Sequence, residues 1–96
     1  MMGAYYSVTS AIKQAGEEIR IEKYRFGCTV LSRDFGETVS RQLGNFDRVS
    51  HAQTMCRRVR AKRAAWLLTE DDDVAARASD YAIDRNIREA VKAAIA

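Results

Sequence analysis

The stretch from Ser50 to Leu68, SHAQTMCRRVRAKRAAWLL, constrains the fold more than any other. Ala52, Met55, Cys56, Val59, Trp66 and Leu67 recur at three- and four-residue steps. At about 100° per residue they fall on one side of a helix. Ser50 stands where an N-cap belongs, with Gln53 three residues on as its capping-box partner. Arg63 intrudes on the apolar side between Val59 and Trp66, where it snorkels to the edge, pairs with a misplaced acid such as Glu22, or marks with Glu22 a surface covered by another chain. Phe46 and Trp66 are the expected aromatic anchors of the core.

Charge is segregated about this helix. Residues 51–68 hold five basic residues and no acid, whereas residues 69–96 hold seven acids and four basic residues. The formal net charge of +3 conceals that division. Arg57, Arg58, Arg60, Lys62 and Arg63 wrap the helix instead of forming one stripe. Either they answer the acids of Glu70–Asp73 across the next turn, or they meet a partner.

The flanking segments also read as helices. A first helix begins near Ala4 or Ser7 and runs to about Phe26, on the stripe Tyr5, Val8, Ile12, Ala15, Ile19 and Phe26, with Gly27 closing it. A hairpin over Glu18–Ser32 competes, because Ile19/Ile21 and Tyr24/Phe26/Cys28/Val30 alternate in pieces. The alternation changes face midway, which favours the helix. Ser32 then caps a second helix carrying Phe35, Val39, Leu43, Phe46 and Val49. Thr69 is the expected N-cap of an acidic-start helix, TEDDD. The apolar face changes near Ser79-Asp80, so a break is expected there, followed by an alanine-rich terminal helix. The predicted fold is all-α: a compact bundle or orthogonal arrangement of four to five helices in a single domain, 1–96.

Function is less legible. The longest apolar run, Ala64–Leu68, is far short of the ~20 residues of a membrane span. Two cysteines without a C-x-x-C spacing and no secretory leader point to the cytoplasm. His51 and Cys56 lie about 140° apart on a helix, so they do not form a zinc face. No nucleophile–base set or phosphate loop is present. The expectation is therefore a non-enzyme without cofactor or metal. Its partner is another protein, bound by a helical face with electrostatic bias from the basic helix. The candidate contacts are Arg57, Arg58, Arg60, Lys62, Tyr5 and Tyr6; the two tyrosines lie in an uncharged N-terminal stretch suited to an interface. The alternative is a small DNA- or RNA-binding regulator whose Arg57, Arg58, Arg60 and Lys62 contact phosphates. A helix-turn-helix over Val39–Gln53 fits poorly, since the cations fall late on its second helix. Self-association is compatible with either reading. Small basic chains of this kind are common among phage and plasmid accessory proteins and inhibitors, which is association alone.

Overall fold

The computed structural model of the chain describes residues 6–16, 19–33 and 40–96. The all-α expectation is wrong: among the described residues, four helices accompany a three-stranded antiparallel sheet. In chain order the elements are α1 Val8–Gly16, β1 Ile19–Tyr24, β2 Gly27–Ser32, β3 Arg41–Phe46, α2 Val49–Thr69, α3 Asp72–Tyr81 and α4 Ile87–Ile95.

The first error lies at Gly16. There α1 ends, and the expected continuation to Phe26 is a hairpin instead. Tyr24 pairs with Gly27 across the loop Arg25-Phe26, and Ile21 with Val30. A two-residue loop pairs odd-numbered residues of one strand with even-numbered residues of the other. Ile19 and Ile21 therefore share a face with Val30 and Cys28. The change of face midway, which favoured a helix, is what such a hairpin requires. Gly27 has φ +155°, and a Cβ there would stand 2.7 Å from the Phe46 carbonyl oxygen, so only glycine fits without a shift.

The second error is the helix expected from Ser32 to Val49. Ser32 ends β2, Leu43 and Phe46 lie in β3, and Phe35 and Val39 fall outside the described residues. Val30 pairs with Gly44 and Leu31 with Gln42, so Leu43 is left over at a register shift. A bulge places two residues opposite one and interrupts strict alternation. Phe46 packs on α2 and Leu43 lines a groove beside it, so a three-residue spacing reaches the α2 side without a helix.

α2 is the spine, as its sequence predicts, and it touches every other element. Its start differs. Arg48 is the N-cap, in extended conformation and without a side-chain cap bond, so Ser50 lies inside the first turn and the Ser50/Gln53 box does not form. At its other end Thr69 belongs to α2, bonding back to the Ala65 carbonyl at 2.8 Å. Glu70 turns left-handed at φ 52°, with its N–H on the Trp66 carbonyl at 2.7 Å. The capping role expected of Thr69 falls to Asp71, whose Oδ1 accepts from the N–H groups of Asp73 and Val74. α3 ends at Tyr81, just past the expected break, and Asn86 caps α4 through the Glu89 N–H at 2.8 Å.

Two buried clusters meet on α2. In the larger, Ala11 and Ala15 of α1, Ala61, Ala64 and Ala65 of α2, Ala78 of α3, and Ala90 and Ala94 of α4 surround Leu67 and Val91. Small side chains let helix axes approach closely, but each buries only about one methyl group, worth roughly 0.8 kcal/mol. The smaller cluster joins Cys28 and Val30 of β2 to Ala52 of α2, with Ile19, Ile21, Phe46 and Met55 half-buried around it. Among the described residues, no helix is long and apolar enough to cross a membrane.

Candidate functional site

The basic block is dispersed, and most of it is occupied. Arg57 donates from Nε to the Ala82 carbonyl at 2.7 Å and from Nη2 to the Ile83 carbonyl at 2.9 Å. Arg58 donates from Nε to the Ser79 carbonyl at 3.2 Å, with Asp80 3.5 Å away. Both therefore serve the carbonyl end of α3, where cations are favoured and orphan acceptors need donors. Arg60 reaches the other way, to the Ile12 carbonyl of α1 at 3.4 Å, and lies against Gly16. Its buried Nε has no hydrogen-bond partner among the described residues. All three side chains are half-buried. Arg57 and Arg58 do not answer Glu70–Asp73: twelve residues of helix separate Arg58 from Glu70, roughly 18 Å of rise.

Arg63 donates from Nη2 to the Ser32 hydroxyl and fastens α2 to β2. Glu22, the acid proposed for it, instead lies near Arg20 and accepts from the Tyr24 hydroxyl. Lys62 is exposed. Tyr6 is half-buried against the larger core, and Tyr5 lies outside the described residues. Of the expected set, Arg57, Arg58, Arg60, Lys62 and Tyr6 are thus not brought together as one surface. The strand at Arg41–Phe46 also removes the helix-turn-helix.

What the fold does assemble is a groove of about 590 Å³ between β3, α2 and the start of α3. Leu43, Val59, Trp66 and Ala75 supply its apolar wall. Among the described residues, its lining also includes the cations Arg33, Lys62 and Arg63 and the acid Asp72. Trp66, expected in the core, is 41% exposed, and Leu43 is 36% exposed. Phe46, the other expected anchor, is half-buried in the smaller cluster. Arg63 was the available signal for this departure: a guanidinium on the apolar stripe, three residues before Trp66, marks where that face leaves the core. Leu43 carried no such signal, because its position depends on the register shift.

A second exposed feature is the hairpin tip, where Phe26 is 86% exposed and Arg25 lies over its ring at 5.3 Å. The thiols are poor nucleophile candidates. Cys28 is buried, and burial pushes the Cys56 thiol up; Arg60 opposes that rise and Cys28 adds to it. Among the described residues, no three His, Cys, Asp or Glu side chains converge to hold a metal. No protein family, curated protein or solved structure matches the chain.

Proposed function

We propose that this chain is a non-catalytic binding module, acting in the cytoplasm, whose Trp66 groove takes an acidic, apolar surface of another protein. The observation that carries the reading is a large aromatic held 41% exposed on the wall of an apolar groove whose lining includes the exposed Lys62. Tryptophan is enriched among residues that dominate binding energy, and complementary charge speeds and orients encounter. Electrostatic bias then comes from Lys62 and its groove neighbours instead of the whole basic helix. The nucleic-acid reading loses support, because Arg57, Arg58 and Arg60 would have to leave helix carbonyls to reach phosphates.

Affinity capture from host lysate tests this, with and without nuclease, using the parent chain and Trp66→Ala. The expected result is a nuclease-resistant protein retained by the parent and lost by the variant. Capture that nuclease abolishes, or that Trp66→Ala leaves unchanged, contradicts the reading.

A further inference from the structure

The groove adjoins an outer strand. β3 is last in the order β1-β2-β3, and among the described strands it pairs with β2 alone. The two outer strands differ in chemistry. β1 carries Arg20, Glu22 and Lys23, the charged dressing that discourages addition of a further strand. β3, RQLGNF, carries Arg41 alone. Leu43 has no partner on β2 and lines the groove, facing Val59 and Trp66 of α2 and Ala75 of α3.

Resting on the binding role proposed above, we infer that the occupant is an extended, acid-bearing segment of a partner protein that adds to β3 as a fourth strand. In this mode backbone hydrogen bonds supply affinity and alternate side chains supply specificity. Residues two apart on the segment face α2, where Leu43, Val59 and Trp66 receive apolar groups. Among the described lining residues Lys62 is exposed, and a carboxylate of the segment suits it. Pairing is short, because a bulge at Leu43 divides the strand into two regular stretches, Arg41 to Gln42 and Gly44 to Phe46.

Random dodecamers displayed on phage provide the test. They are selected on the immobilised full chain after removal of those that also bind Trp66→Ala. The selected peptides should carry apolar residues at every second position with Asp or Glu among them. In the best synthetic peptide, N-methylation of one alternate set of backbone amides should weaken binding at least tenfold, and methylation of the other set should not. Apolar residues at three- and four-residue spacing, enrichment in Lys and Arg, or equal tolerance of both methylated sets overturns the strand mode while leaving the groove as a binding site. A parent dimer that dissociates in Trp66→Ala makes the occupant a second copy, which also overturns it. If no peptide distinguishes the two proteins, the groove reading itself fails.

Discussion

The Nε of Arg57 lies 2.7 Å from the carbonyl oxygen of Ala82, the C-cap that follows α3. That contact assigns the basic block a structural part. A helix end leaves carbonyls without intrahelical donors, and here α2 supplies donors from its side. Arg58 does the same at Ser79, and Arg60 reaches the Ile12 carbonyl within α1. An alanine-lined core allows this, because closely packed helices bring a long guanidinium arm within reach of a neighbour's backbone.

Arg57→Ala should destabilise the protein by about 2 kcal/mol, since hydrogen bonds to charged groups contribute about 1.5–3 kcal/mol. Arg57→Lys should recover only part of that, because an ammonium does not fork between the Ala82 and Ile83 carbonyls. Urea unfolding measures both. A change within about 0.5 kcal/mol for Arg57→Ala would place the side chain among ordinary surface residues.

Gly16 and Arg60 should be coupled. A Cβ on Gly16 would run into the guanidinium of Arg60, the far end of a flexible side chain, so Gly16→Ala shifts that group on its 3.4 Å bond to the Ile12 carbonyl. Gly16 closes α1, so the helix-interior advantage of alanine is largely lost there, and the expected cost is about 1 kcal/mol for the disturbed hydrogen bond. In an Arg60→Met background the same substitution should be neutral or stabilising. A double-mutant cycle reads the difference, and simple additivity would remove the proposed contact.

Gly27→Ala should cost about 1–3 kcal/mol, for the strained φ and for the 2.7 Å approach to a backbone oxygen that has little freedom to yield. Thermal unfolding checks it. A variant that melts with the parent would mean that the β1–β2 turn is built differently.

Burial raises the Cys56 thiol pKa, with Arg60 opposing and Cys28 reinforcing the rise, so the folded protein holds this proton longer than the unfolded chain does. Its stabilising contribution is present below the ordinary thiol range and is lost as pH rises through the folded value. At pH 8 Cys56 should alkylate several-fold more slowly than a free thiol of ordinary pKa, as read by mass spectrometry. Faster reaction would contradict the buried assignment.

α2 was legible because Ala52, Met55, Cys56 and Val59 keep a helical period within one element. The break after Tyr81 was legible because an apolar face cannot change sides within a straight helix. The sheet was concealed for two physical reasons. The two-residue hairpin reverses parity between Ile21 and Val30, and the register shift at Leu43 gives β3 a helix-like spacing to Phe46. The cations were visible, but their partners were not. Backbone carbonyls of Ile12, Ser79 and Ala82 carry no signature in sequence, and their positions follow only from packing. The groove was concealed for the same reason, since Trp66 and Leu43 meet only after β3 forms.

The most direct measurement compares the affinity of the captured partner for the parent chain and for Trp66→Ala, with melting temperatures recorded alongside. A partly exposed tryptophan at a binding centre is expected to contribute about 2 kcal/mol or more, which is about thirtyfold in Kd. The predicted result is a loss of at least tenfold in affinity, with the variant still folded and melting within a few degrees of the parent. Equal affinity in a folded variant would contradict the assignment of the Trp66 groove as the binding surface.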